Sequence, residues 1–275
     1  MGLTSQRVDE LKKTCNDLRI ELIDMLHDAQ TGHPGGSLSV CEILTVLMCE
    51  KARINPDNPK DPNRDRILLT KGHAAPMLYL VLGELGYFDK SEYKSFRQIN
   101  SILQGHPCMT ETPGVDITSG PLGIGLPAAV GMACGLRLDN SDATVYAIMG
   151  DGELDEGAVW EAFMSANKFK TDNLVIILDS NGVQLDGTVD EIMPMDNLRA
   201  RFESFGLHVL EADGHDISSL SDALDEAKLV KGKPTMIIAH TVKGKGVSYM
   251  EGQSAWHGNP INDEQYEQAM KELKG

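Results

Sequence analysis

Five short runs of β-branched and aliphatic residues punctuate the chain: Arg66–Thr70, Ala143–Met149, Leu174–Leu178, His208–Glu211 and Thr235–Ala239. Gly, Asp or Asn bounds each one. Their apolar character is continuous rather than alternating, so a strand built from any of them needs cover on both faces. A parallel sheet between two layers of helices provides that cover. The intervening segments carry helical spacing. In Glu156–Phe169, the residues Val159, Ala162, Phe163, Ala166 and Phe169 recur on one face. Asp216 is a natural N-cap for a helix through Val230 that turns Ile217, Leu220, Leu224 and Ala227 inward. Residues 1–26 put Leu11, Leu18, Leu22 and Leu26 on one stripe, and Asn262–Lys274 reads as a short charged helix. The second and third runs, with the helix between them, form a βαβ unit whose crossover is right-handed. The expectation is an α/β fold with a doubly wound, mostly parallel sheet. No repeat, low-complexity tract or linker divides it, so residues 1–275 form a single domain.

Composition narrows the possible partners. The chain carries 25 basic and 41 acidic side chains, a formal net charge of −16. That excess excludes a nucleic-acid-binding face and adhesion to anionic lipid, both of which need a basic patch. Apolar runs such as Ile43–Cys49 are too short to span a bilayer. The first residues form an amphipathic helix rather than a signal peptide. The five cysteines are odd in number and contain no CxxC pair, as expected for a reduced, cytoplasmic protein.

In an open parallel sheet, ligands bind beyond the carboxyl ends of the strands. Ala143–Met149 runs into Gly150-Asp151-Gly152, and Leu174–Leu178 runs into Asp179-Ser180-Asn181-Gly182. If these strands are parallel neighbours, Asp151 and Asn181 emerge at one edge. A carboxylate, an amide oxygen and a backbone carbonyl form an oxygen half-shell for a hard cation such as Mg²⁺ or Ca²⁺, which a diphosphate would complete. The glycines allow close backbone approach, and a helix starting near Glu156 would aim its free N–H groups at the phosphates. Alone, Gly-Asp-Gly is an ordinary strand-to-helix turn; the second polar cluster about thirty residues later shifts the reading toward a ligand site. Gly123-Ile-Gly125-Leu-Pro-Ala128 also matches a dinucleotide fingerprint, but no convincing strand precedes it, which argues against an NAD site.

Four of the eight histidines sit beside Gly or Pro: His33, His73, His106 and His257. Rigid loop backbone of this kind can hold an imidazole against a polar substrate. Their spacing fits no zinc motif. His27, His208, His215 and His240 lack that context and receive no role.

Together these motifs resemble the transketolase family. Gly150-Asp151-Gly152, followed by Asn181, is similar to the thiamine-diphosphate signature. The stretches TGHPGGSLS at 31–39, TKGHAAPMLY at 70–79, GHP at 105–107, SGPLGIG at 119–125, GDGELDEGAVWEA at 150–162 and SAWHGNP at 254–260 follow the family's order. The resemblance implies that Asp151, Asn181 and the carbonyl of Val183 ligate Mg²⁺ or Ca²⁺. It implies that His73, Gly120, Pro121, Leu122, Gly152, Glu156, Lys243 and His257 contact thiamine diphosphate, with Glu156 also serving subunit contact. His33, His106 and His257 would line the substrate channel, bind hydroxyls and shuttle protons.

The implied activity is transfer of a two-carbon ketol unit from a ketose phosphate to an aldose phosphate. Family members with all parts on one chain continue into a pyrimidine-binding domain and a C-terminal domain, making more than twice this length. The pyrimidine-binding domain carries the glutamate that bonds the aminopyrimidine ring. The resemblance therefore implies a subunit that needs a separate C-terminal transketolase partner, with two copies of each. An unusual sugar phosphate as substrate, or a non-catalytic cofactor-binding module, are the other readings.

Overall fold

The apolar runs become five strands in the computed structural model, which describes residues 2–275. They are β1 (Arg66–Leu69), β2 (Val145–Gly150), β3 (Leu174–Ser180), β4 (His208–Asp213) and β5 (Thr235–His240). All pair in parallel, in the order β1-β2-β3-β5-β4. The helices, in chain order, are α1 (Ser5–Ala29), α2 (Pro34–Ser39), α3 (Cys41–Val46), α4 (Ala75–Glu84) and α5 (Gly125–Leu138). There follow α6 (Gly157–Phe169), α7 (Val189–Ile192), α8 (Leu198–Ser204), α9 (Ile217–Leu229) and α10 (Asp263–Lys274).

Successive strand residues serve two separate cores, which is why the runs had to be apolar throughout. Tyr146, Ile148, Val175 and Ile177 pack under α1, α3, α4 and α9. Val145, Ala147, Met149, Leu174 and Ile176 pack under α5, α6 and α8. The sheet is thus doubly wound, as expected. Among the described residues, no helix is long and apolar enough to cross a membrane.

Three local features deliver the chain to the carboxyl edge of the sheet. Helix α1 buries Leu11, Leu18, Leu22 and Leu26, then stops at Gln30, which takes a left-handed backbone (φ 51°). That turn launches Thr31-Gly32-His33 across the strand ends. Residues 96–124 form no regular element, yet they are tied down by backbone bonds such as Arg97 N–H to Leu103 O (2.9 Å) and Ser119 N–H to Pro107 O (3.1 Å). Between β2 and α6, residues Asp151–Asp155 make a 3-10 turn. The expected helix start near Glu156 is therefore nearly right, but a full tight turn separates Gly-Asp-Gly from the helix N-terminus.

Candidate active site

Register fixes the starting geometry. Gly150 of β2 pairs with Asp179 of β3, so Asp151 and residues 180–182 leave the sheet side by side. Asp151 is 5% exposed. Its Oδ2 accepts the Gly182 N–H at 2.7 Å, while Asn181 Oδ1 accepts the Val183 N–H at 3.1 Å. Burial, and then the neighbouring charge of Asp179, push the Asp151 carboxyl up to about 7. A cation here would meet oxygen donors and relieve that penalty. No three His, Cys, Asp or Glu side chains among the described residues are arranged to hold a metal unaided. Asp151 and Asn181 therefore need further oxygens.

Beneath them lies a buried ion pair. Lys71, just past β1, and Asp179, at the end of β3, are 1% and 0% exposed at the side chain and form a salt bridge. Lys71 Nζ also donates to Gly36 O at 3.0 Å. Asp179 further accepts from Ser39 Oγ at 2.5 Å and from Thr241 Oγ1. Burial opposes the charge on Asp179, but Lys71 and the two hydroxyls outweigh it and hold the carboxyl below its usual range. One carboxylate thereby joins α2, the β1 loop, β3 and the β5 loop.

The four glycine- or proline-flanked histidines converge. Ring centroids lie 4.8 Å apart for His73 and His257, 5.5 Å for His33 and His73, 5.4 Å for His33 and His257, and 6.3 Å for His33 and His106. The row runs from exposed His106 inward. Burial first, then the cations Arg97 and Lys243 among other neighbours, lower His33 to about 4. Burial, then Lys243 and Lys71, lower His257 to about 4. His73, more deeply buried, is lowered too, as is His106 by burial and Arg97. At neutral pH the row is uncharged.

Two cations fix the orientation of these rings. Arg97 Nη2 lies 3.2 Å from His33 Nδ1, and Arg97 Nη1 donates to Thr31 Oγ1 at 2.7 Å. Arginine only donates, so His33 Nδ1 accepts and its proton sits on Nε2. Lys243 Nζ lies 3.3 Å from His257 Nδ1 and donates to Gln184 O at 3.1 Å. Lys243 is 2% exposed. Burial, then Lys71, lower its ammonium to about 8. Gly35 makes room for it: a Cβ there would fall 2.8 Å from Trp256 O and 3.0 Å from the Lys243 side chain.

A cavity of about 220 Å³ opens among these groups, lined by His73, Leu122, Asp151, Gly152, Asn181, Val183, Lys243 and His257 from the sequence-derived set. Lys71, Glu153 and Gln184 also line it. His33 and His106 do not line it; His33 lies against His73 and His257, and His106 lies against His33. Gly120 lies against His106, the position of a Cβ there being 3.7 Å from its ring, while Pro121 is exposed; neither lines the cavity.

One expectation is narrowed and another needs correction. Glu156 is exposed and does not line the cavity of the single chain, which leaves it free for the expected subunit contact, while the 3-10 turn carries Glu153 inward. Glu153 is 1% exposed and accepts from Thr70 Oγ1 (2.7 Å) and Gly123 N–H (3.2 Å). No residue of α6 lines the cavity, so the N–H groups of its first turn do not border it as expected. Buried Lys71, paired with Asp179, and buried Lys243 stand in the cavity wall instead. The Gly123–Ala128 fingerprint lacks its strand, and the Glu153 carboxylate on Gly123 N–H would repel a pyrophosphate. Gly123 (φ +81°) serves instead to seat the loop, since a Cβ would fall 2.7 Å from Glu156 Cβ.

The groups present suit a metal-bound diphosphate: hard oxygen donors at Asp151 and Asn181, a glycine at 152, and two buried ammonium groups in the wall. Sequence reading overlooked Lys71, Asp179, Glu153 and Arg97. Lys71 and Asp179 did stand in the motifs flanking the strand ends, the only local signal available.

Comparison with known proteins agrees. Residues 11–274 match the family model described as transketolase, thiamine diphosphate binding domain. An apulose-4-phosphate transketolase subunit of Phocaeicola vulgatus is 39% identical, over 97% of this chain and 95% of that protein. The 6-deoxy-6-sulfo-D-fructose transketolase subunit SqwG of a Clostridium species is 40% identical, over 99% and 98%. The solved transketolase of Leishmania mexicana superposes with a TM-score of 0.90 at 32% identity, covering 96% of this chain and 41% of that one. The chain belongs to the transketolase family and comprises its thiamine-diphosphate-binding domain.

Proposed function

We propose that this chain is the diphosphate-binding subunit of a two-chain transketolase that moves a two-carbon ketol unit from a ketose to an aldose. The observation that carries the reading is the meeting of Asp151, Asn181, Lys243, His73 and His257 around one cavity, with His33 and His106 continuing the row of rings beside it. Asp151, Asn181 and the Val183 carbonyl would hold Mg²⁺ or Ca²⁺, with diphosphate oxygens completing the shell. Gly152, His73, Leu122 and Lys243 would contact the cofactor. Bound there, thiamine diphosphate supplies the electron sink for breaking and making the carbon–carbon bond.

The chain's own part is orientation and proton handling. His33 and His257, with Nδ1 taken by Arg97 and Lys243, present Nε2–H to substrate oxygens as hydrogen-bond donors. His106, whose ring makes no hydrogen bond among the described residues, keeps a free nitrogen to accept a hydroxyl proton. Two relatives that match nearly end to end are named for apulose 4-phosphate and 6-deoxy-6-sulfo-D-fructose, which supports an unusual sugar phosphate or sulfosugar as donor. Ordinary pentose phosphates are the second candidates.

A partner is part of the proposal. At about 220 Å³ the cavity is smaller than the roughly 300–1,000 Å³ usual for small-molecule sites, as expected of a site completed by another chain. An apolar groove of about 750 Å³ runs between α5 and α6. Leu138 and Phe169 at its end are 83% and 56% exposed. Relatives named as subunits support a partner chain, and the proposal gives that partner the pyrimidine-binding and C-terminal domains and the assembly two copies of each chain. The free cysteines fit a reduced, cytoplasmic setting. The test is ketol transfer by this chain with and without that partner, in thiamine diphosphate and Mg²⁺. Turnover is expected only from the pair; full turnover by this chain alone would refute the subunit reading.

A further inference from the structure

His215 lies between β4 and α9, outside the cavity, yet its ring belongs to a closed network. Its Nδ1 is 3.0 Å from Glu42 Oε2, and its Nε2 accepts the Val242 N–H at 2.8 Å. A backbone N–H can only donate, so the proton sits on Nδ1 and is given to Glu42. Glu42, 6% exposed, is held from the other side by Arg19 Nη2 at 2.6 Å. Arg19, 7% exposed, then donates from Nε to Lys245 O at 3.1 Å. The network leaves Val242 and returns at Lys245, gripping the loop on both sides of Lys243.

We propose that His215, backed by Glu42 and Arg19, is a positioning residue that fixes Lys243 in the cavity beside His257 and Gln184. This rests on reading Lys243 as a cofactor residue. Two further bonds locate the same loop: Gly244 N–H to Gly35 O at 3.0 Å, and Thr241 N–H to Ser180 O at 3.0 Å. They fix the ends of the segment but leave the Val242 N–H without any other acceptor. A half-buried N–H that loses its partner favours a shifted loop that reaches another acceptor or water, and Lys243 shifts with it.

The experiment is lysine acylation at pH 8 on the full chain, read by mass spectrometry, with exposed Lys168 as internal reference. His215→Leu removes both ring bonds but leaves the Arg19–Glu42 pair intact. His215→Gln keeps an amide oxygen where Nε2 stood. Lys243 should label about tenfold faster in the Leu variant, the effect of leaving one half-buried donor without its acceptor, and near the wild-type rate in the Gln variant. Affinity for thiamine diphosphate with Mg²⁺ should fall about tenfold and recover in parallel. Unchanged Lys243 labelling in the folded Leu variant, or Gln labelling as fast as Leu, overturns the proposal. Should the Leu variant not fold, hydrogen exchange in the wild-type chain decides: a slow Val242 amide is required, and a fast one overturns it. Lys243→Met separates the two readings. If that variant binds the cofactor normally, the cofactor role of Lys243 falls, while His215 is still judged by labelling.

Discussion

Replacing Lys71 by methionine strands a carboxylate in the core. The methionine keeps most of the apolar stem, so the main change is loss of the ammonium that faces Asp179. Both partners are essentially without solvent contact, at 1% and 0% side-chain exposure, so water cannot substitute for the lost charge. Breaking a buried pair from one side costs about 3–5 kcal/mol. Asp179 keeps its bonds from Ser39 and Thr241, which places this site near the lower end. Lys71→Met should therefore cost about 3 kcal/mol in urea denaturation, or about 6–10 °C in melting temperature. Adding Asp179→Asn discharges the stranded group and should recover about 1–2 kcal/mol of that loss, although the single Asp179→Asn change is itself destabilising. A loss below about 1 kcal/mol for Lys71→Met would refute the claim that this pair is a closed, mutually dependent unit. A double variant no more stable than Lys71→Met would refute it equally.

Further expectations concern charge and orientation at the cavity. Arg97→Gln removes the donor that orients His33 and should lower turnover of the assembled enzyme about tenfold. The His33 ring resonance should then titrate closer to its ordinary value, checked by NMR. Because Lys243 is lowered to about 8, it is partly deprotonated at pH 8, and an incoming diphosphate should restore its proton. Calorimetry at pH 8 in buffers of different ionisation heat should show uptake of about half a proton, lost in Lys243→Met. His33 and His257, lowered to about 4, stay neutral in the folded chain while the unfolded chain protonates near 6.5. The unfolded state then binds more protons between about 4 and 6.5, so this contribution is complete above pH 6.5 and is lost as pH falls toward 4. His257→Gln should flatten the melting temperature between pH 7.5 and 5.

The sheet was legible because its demand is local: a strand covered on both faces must be apolar along its length, as β2, β3 and β5 are, while the edge strand β4 alternates and leaves Glu211 and Asp213 exposed. The histidines were legible by their Gly and Pro neighbours, although only the fold shows that four loops meet. The acidic run after β2 marks the boundary of such reasoning. Asp151, Glu153, Asp155 and Glu156 stand close together, and the sequence motif pointed to Glu156. A single 3-10 turn sends Glu153 inward and leaves Glu156 at the surface. Lys71 and Asp179 were illegible for another reason. Their positions are 108 residues apart, and a buried ion pair has no periodicity to announce it.

The same distinction explains how a chain of net charge −16 can offer a site to an anion. Total charge acts through solvent and is screened beyond roughly 8–10 Å, whereas the cavity wall is set by a few desolvated groups. Of the two buried ammonium groups, Lys71 is balanced by Asp179. Lys243 has no carboxylate partner among the described residues, only the Gln184 carbonyl and a neutral imidazole. It is the uncompensated cation of the site. Its lowered pKa has the same origin: burial disfavours the charge and Lys71 repels it, and together they outweigh the pull of Asp151 and Asp179, neither of which forms an ion pair with it. Asp151 is the mirror case, a buried carboxyl raised by burial and by Asp179 more than the Gly182 and Asn181 N–H groups and the charge of Lys71 lower it. A divalent cation beside Asp151 and a diphosphate beside Lys243 would remove both penalties at once. Either ligand alone would relieve only one, so each should bind more tightly in the presence of the other.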